Sequence, residues 1–131
     1  MTRTNSDTQQ TLEQRRANHA WDAVQRAKDG QDPKKFGGQA KKLPMRIMAA
    51  GLGQALAFLK AKNDAPRLLE KLSDWINRCI PLKPDEPKDL LERIIKGDSD
   101  FLRRATDEVL AYLVWLNRFA EAERLTDEVE E

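Results

Sequence analysis

The sequence predicts an all-α fold, a compact single-domain bundle of five or six helices. Three observations lead there. The chain has 131 residues, near the commonest size for one domain, and its 40% hydrophobic and 34% charged content can build one core. Ala, Leu, Lys, Arg, Glu and Gln dominate, and all are good helix formers. Alternating runs of Val, Ile and Thr, the mark of strands, are absent, as are internal repeats and low-complexity stretches.

The first helix is expected from about Thr11 to Asp29, with Thr8 or Thr11 as its cap. Ala17, Ala20, Trp21, Val24 and Ala27 recur at helical spacing and form its buried stripe, and Asp29-Gly30 stops it. Residues 34–42 form a short helix weakened by Gly37-Gly38. Pro44 opens the next, at the position where a missing N–H costs nothing, and that helix runs to about Lys62. Its face of Met45, Met48, Leu52, Ala55, Leu56 and Leu59 is flanked by Ile47, Gly51 and Phe58, an arc wide enough for a central helix. Gly51 is expected to admit a neighbouring helix. Asn63-Asp64 ends this helix and caps a fourth, with Pro66 in its first turn and Leu68, Leu69, Leu72, Trp75, Ile76 and Cys79 on one stripe. Three prolines stiffen the connector 81–87. A short helix, about 87–96, carries Leu90, Leu91, Ile94 and Ile95. Asp98 or Ser99 caps the last helix, about 99–125, with Leu102, Ala105, Val109, Tyr112, Leu113, Leu116, Phe119 and Ala120 inward. The organisation is a flexible polar N-terminus (1–10), a helical domain (11–122) and an acidic tail (123–131) that frays.

Composition narrows the function. One cysteine excludes an intrachain disulfide, and one histidine excludes a multi-histidine metal site. No apolar run approaches the roughly 20 residues that span a bilayer, and residues 1–10 hold no apolar signal core, so a cytoplasmic protein is expected. Gly51-Leu52-Gly53 lacks the third glycine of a dinucleotide fingerprint. The carboxylate pairs Asp98/Asp100 and Asp107/Glu108 read as a helix cap and a solvated face, and Cys79 as a small core residue. An enzyme would require a pocket that brings Cys79 or His19 beside a carboxylate; helical phase places His19 outward and Cys79 inward. No catalytic residue, metal site, cofactor or small-molecule substrate is expected.

Charge is more informative. Residues 1–63 hold 12 Lys and Arg against 5 Asp and Glu, a net of +7, while residues 64–131 hold 11 against 17, a net of −6. A local basic field attracts polyanions even on a near-neutral chain. On the first helix Arg15, His19 and Arg26 fall within about 40° of one another, opposite the core stripe, with Asp22 nearby. On the central helix Arg46, Gly53, Ala57 and Lys60 share a narrow strip, preceded by Lys34, Lys35, Lys41 and Lys42. Arg103, Arg104 and Arg118 lie outward on the last helix. These describe either a solvated surface or a groove that holds phosphates without reading bases. Leu110, Val114 and Trp115 make the last helix apolar nearly all round, so either another helix covers it or Val114 and Trp115 meet a partner.

Three ordered runs carry a resemblance: Glu13-Gln14-Arg15-Arg16-Ala17; Leu43-Pro44 through Ile47 and Gly51-Leu52-Gly53-Gln54-Ala55-Leu56-Ala57-Phe58-Leu59; and Thr106, Glu108, Leu110, Tyr112-Leu113, Trp115-Leu116, Arg118-Phe119-Ala120. Over about residues 11–122 the chain resembles the small-subunit family, the fifth Cmr protein, of the type III-B CRISPR effector known as the Cmr complex. The resemblance implies an all-α subunit without enzymatic activity. Copies stack head to tail beside the backbone subunits that hold guide RNA, and target RNA lies in the channel between. Cleavage belongs to the backbone subunit and signalling chemistry to the large Palm-domain subunit. It makes Arg15, Arg16, Arg118 and the basic positions near Leu43-Pro44 candidates for RNA or neighbour contact. With the surface reading, the RNA-binding set is Arg15, Arg16, Arg26, Lys34, Lys35, Lys41, Lys42, Arg46, Lys60 and Arg118. The two oppositely charged halves suit head-to-tail stacking. The alternative is a helical adaptor that touches only protein, through Val114, Trp115 and the acidic tail.

Overall fold

A computed structural model describes residues 9–126. Six helices carry them: α1 (Leu12–Lys28), α2 (Pro33–Ala50), α3 (Leu52–Lys62), α4 (Pro66–Cys79), α5 (Leu90–Lys96) and α6 (Ser99–Ala122). No strand occurs among the described residues, and no helix there is long and apolar enough to cross a membrane.

Most helix starts follow from local capping. Thr11 accepts the backbone N–H of Gln14, and the Gln14 side chain accepts the N–H of Thr11, a reciprocal cap that opens α1; Thr8, the other expected cap, lies outside the described residues. Asp89 and Asp98 open α5 and α6 by accepting the N–H of Glu92 and Phe101. α4 departs from expectation. Its start is Ala65 followed by Pro66, with no side-chain cap, while Asn63 (φ 53°) closes α3.

The largest departure is at Pro44. The sequence suggested a weak helix before it and a new one from it, yet α2 runs through it unbroken from Pro33 to Ala50. Proline has no N–H, so the carbonyl of Ala40, four residues back and fully buried, loses its helical partner. Asn117 on α6 replaces it: its Nδ2 donates to the Ala40 oxygen at 3.0 Å. The break falls instead at Gly51, where φ is 90° and a β-carbon would meet no atom within 4 Å. Glycine is needed there for its backbone freedom, not for the close helix approach the sequence suggested. Close approach occurs at Gly37, where a β-carbon would collide with the Leu125 carbonyl group.

Continuity through Pro44 resets the core. Phe36, Ala40, Leu43 and Ile47 form the buried stripe of α2, which leaves Met45 and Met48, expected inside, 76% and 75% exposed. α6 lies against α1, α2 and α4 and buries Ala105, Val109, Tyr112, Leu113, Leu116 and Ala120; Leu102, expected with them, is exposed. α4 contributes Leu68, Leu72, Trp75 and Ile76, and the short α5 packs on α3 and α4. Trp21 is exposed on one side and meets Phe119 edge-on, with ring centroids 5.2 Å apart. The tail expected to fray begins with a turn: the N–H of Leu125 donates to the Ala120 carbonyl at 2.8 Å, and its side chain is buried.

Replacing Asn117 by Ala leaves the Ala40 carbonyl buried without a partner and should cost about 1–3 kcal/mol. In a Pro44→Ala background the restored N–H at position 44 takes over, and the same replacement should cost less than about 1 kcal/mol. Urea unfolding of the four proteins reads this coupling; equal costs in both backgrounds would refute it.

Candidate functional site

The phase that buries Phe36, Ala40, Leu43 and Ile47 turns the opposite face of α2 outward. That face holds Lys34, Lys35, Lys41, Lys42 and Arg46, and with Lys62 at the end of α3 and Asp64 just beyond they line a groove of about 970 Å3. Among the described residues, six cationic side chains thus share it with a single carboxylate. Gly38 adds no side chain, and nothing lies within 4 Å of where its β-carbon would be, so the middle of the groove is open to a backbone. Arg46 is held in place: Nη1 donates to Gln39 Oε1 at 2.7 Å, and the guanidinium sits 4.2 Å over the Phe58 ring. Among the described residues Lys35, Lys41 and Lys42 have no ion-pair partner. Sequence reasoning missed Lys62, which reaches the groove only because the chain reverses at Gly51.

The other predicted cations do not join this groove. Lys60 lines a separate cavity of about 510 Å3 between α3 and α4; the strip it was to share with Arg46 does not exist, because Gly51 divides the helix. Arg118 is exposed on α6. Arg15 and Arg26 line a second pocket, of about 680 Å3, between α1 and α4. Two of its four cations are paired there, Arg26 with Asp22 at 2.9 Å and Arg78 with Asp74 at 3.2 Å.

Arg16 is corrected outright. It turns inward, with Nε and Nη2 on the two oxygens of Glu108 at 2.6 and 2.8 Å and Nη1 on Glu13 at 2.6 Å. Glu108, expected on a solvated face, also accepts the Trp75 indole N–H at 2.8 Å. Burial pushes its carboxyl upward, but the bonds from Arg16 and Trp75 outweigh burial and hold it below the usual range. Trp115, expected at a partner surface, donates its indole N–H to Glu13 at 3.0 Å, whereas Val114 is 63% exposed. Glu13, Arg16, Glu108 and Trp115, which stand in the first and last runs that carried the resemblance, therefore meet in one network across α1 and α6.

His19 is the other correction. It is nearly buried, not outward, and lies between α4 and α6: Nε2 stands 2.7 Å from Asp74 Oδ2 and Nδ1 2.7 Å from the Tyr112 hydroxyl. A carboxylate only accepts, so in the neutral ring Nε2–H donates to Asp74 and Nδ1 accepts from Tyr112. Burial holds the imidazole below its ordinary 6.5, against the raising pull of Asp74. His19 and Cys79, expected apart, line the same pocket. Burial pushes the Cys79 thiol up to about 11, so it stays protonated at neutral pH, and burial likewise raises the Tyr112 phenol. Neither the thiol nor the phenol is therefore ionised at neutral pH.

Arg93 is a further residue that sequence reasoning missed. Buried on α5, it donates to Asn77 Oδ1 at 2.9 Å and the Pro81 carbonyl at 3.3 Å, pairs with Glu86 at 3.4 Å, and lies 4.4 Å over Phe101. It ties the proline connector to α4 and α5. Its position three residues after Leu90, on the buried face, was the available signal.

The family model described as CRISPR-associated protein (Cas_Cmr5) matches residues 12–123, from the first residue of α1 to the turn after α6. A protein of Thermus thermophilus, the CRISPR system Cmr subunit Cmr5, is 29% identical over 106 residues, spanning 81% of this chain and 90% of that one. The crystal structure of a CRISPR-associated Cmr5 family protein, also from Thermus thermophilus, aligns with a TM-score of 0.74 at 30% identity, covering 90% of this chain and all (100%) of that one.

Two outcomes follow for the buried charges. Arg16→Ala leaves Glu108 half-buried and unpaired and should cost about 2–4 kcal/mol in urea unfolding, while Lys42→Ala should stay within about 0.5 kcal/mol. The lowered His19 value means that the unfolded chain binds the proton more readily. Its contribution is therefore full above about pH 6.5 and declines as the pH falls from there through the folded value. His19 is the single histidine, so stability should drop as the pH falls below about 6.5, and His19→Gln should flatten that segment. An unchanged slope in the variant would count against the assignment.

Proposed function

Because the chain belongs to the Cas_Cmr5 family of CRISPR-associated proteins, we propose that it is the non-catalytic small subunit of a type III-B CRISPR effector, the Cmr complex, and that its α2 groove holds the phosphates of paired guide and target RNA. The observation that supports this reading most is the sign of the groove: among the described residues Lys34, Lys35, Lys41, Lys42, Arg46 and Lys62 share it with one carboxylate, Asp64. A subunit that must accept any guide needs contacts to phosphate and none to base edges. Lysines, point charges on flexible stems, suit that task. In this reading copies stack head to tail as a heterologous, non-closing assembly beside the guide-holding backbone subunits and the large Palm-domain subunit, in the cytoplasm. Bond cleavage belongs to those partners. The protonated Cys79 and the buried Tyr112 hydroxyl support the assignment of no catalysis to this chain.

A protein-only adaptor is the second reading, and Val114 favours it as an exposed apolar residue on α6. Its expected companion Trp115 is engaged by Glu13, and the adaptor gives the groove no role.

The test is Lys35→Glu/Lys41→Glu/Lys42→Glu, with assembly read by co-purification and target-RNA affinity read separately across a salt series. Assembly should persist, RNA affinity should fall at least tenfold at about 0.1 M salt, and the slope of log K against log salt should flatten by about 2 to 3. Unchanged affinity and slope would overturn the reading.

A further inference from the structure

Arg46 is the one arginine among the residues lining the α2 groove, and two elements hold it. From α2 itself comes Gln39, two turns earlier on nearly the same face of the helix. Gln39 is only 5% exposed, and its Oε1 accepts from Arg46 Nη1 at 2.7 Å. From α3 comes Phe58, one turn before Lys62, which lines the same groove. The Arg46 guanidinium carbon sits 4.2 Å from the centre of the Phe58 ring. Leu56 and Leu59 of the same helix are buried, whereas Phe58 stays 46% exposed, so its ring lies off the core. The remaining guanidinium N–H groups meet no carboxylate among the described residues. Stacking on one face and a bond at one edge fix both the plane and the rotation of the group. A guanidinium so fixed presents a planar fork that fits two oxygens of one phosphate. Lys35, Lys41 and Lys42 carry point charges on flexible stems and offer no such fork.

We propose that Arg46 is the fixed phosphate anchor of the groove, and that Gln39 and Phe58 are positioning residues that orient its guanidinium before RNA arrives. The anchor role rests on the RNA reading above; the holding of Arg46 by its two neighbours does not. The group recognised is the phosphodiester itself, gripped through two oxygens, and the lysines then follow a backbone whose register is already set. Orientation in advance matters because a side chain frozen only on binding costs affinity, and arginine has much rotamer freedom to lose. The anchor stays blind to sequence, since the phosphate is the same at every base. The reversal at Gly51 makes the arrangement available. It lays α3 beside α2, so that Phe58 and Lys62 meet cations that all come from α2.

The test uses the full chain, a short RNA duplex as probe and a salt series. Phe58→Leu and Gln39→Met remove the ring face and the acceptor but no charge. Each should weaken binding about three- to tenfold at about 0.1 M salt and leave the salt slope unchanged. Arg46→Lys keeps the charge and should lose as much, whereas Lys42→Arg should stay within about twofold. Arg46→Ala should lose more and flatten the slope by about 1. In the Arg46→Ala background Phe58→Leu and Gln39→Met should have no further effect, and Phe58→Trp in the parent chain should bind like the parent. Full losses that persist without Arg46 overturn the positioning role, and tolerance of Arg46→Lys does the same. If Lys35→Glu/Lys41→Glu/Lys42→Glu weakens binding while every change at positions 39, 46 and 58 is silent, the RNA reading stands and the anchor falls. Silence of the lysine reversals overturns the RNA reading, and the anchor with it.

Discussion

A buried carbonyl that has lost its helical donor is the constraint from which the functional face descends. Pro44 strips the Ala40 oxygen of its partner in a position where water does not reach, and a group in that state demands another donor or a broken helix. Asn117 supplies the donor from α6. With that one bond α2 becomes a continuous rod of 18 residues, about 27 Å long. Lys34 and Arg46 then lie on one element, along one groove. The same bond draws α6 across α2, which brings the following turn and its Leu125 onto Gly37. The cationic groove and the Leu125 turn beside it are both consequences of how this carbonyl is satisfied.

The chain does not present its positive charge evenly. Arg16 and Arg93, whose planar guanidinium groups can make several directed bonds at once, are drawn into internal networks with Glu108, Glu13, Asn77 and Glu86. Arg26 is offset on its own helix by Asp22. The lysines of α2, compact and strongly hydrated, stay on the surface. Folding thus separates arginines that hold the bundle together from lysines that give it a field. The one arginine in the groove, Arg46, is steadied by Gln39 and Phe58.

Part of this was legible in advance. The grouping of Lys34, Lys35, Lys41, Lys42 and Arg46 followed from their nearness in the chain, and the groove contains them all. Arg16 was misread because its partner Glu108 lies 92 residues away. His19 was misread because the first helix carries a second, polar face inward, and nothing near residue 19 announces Asp74 and Tyr112, which are 55 and 93 residues distant. Met45 and Met48 were read as core from a phase that began at Pro44, and that phase disappeared when the helix continued.

What the sequence determined by itself is whatever four neighbouring residues can decide. It set the all-α class, the caps at Thr11 and Asp98, and the apolar stripes of α4 and α6. These depend on bonds and periodicities that close within one helical turn. Tertiary structure decided the rest: that α2 crosses Pro44, that Gly51 and not Pro44 is the hinge of the chain, which charges are paired, and where the turn after α6 packs. Each turns on a polar group or backbone surface whose partner stands tens of residues away, 77 in the case of Asn117 and Ala40. A local pattern records that a carbonyl will be orphaned, and only packing records what comes to meet it.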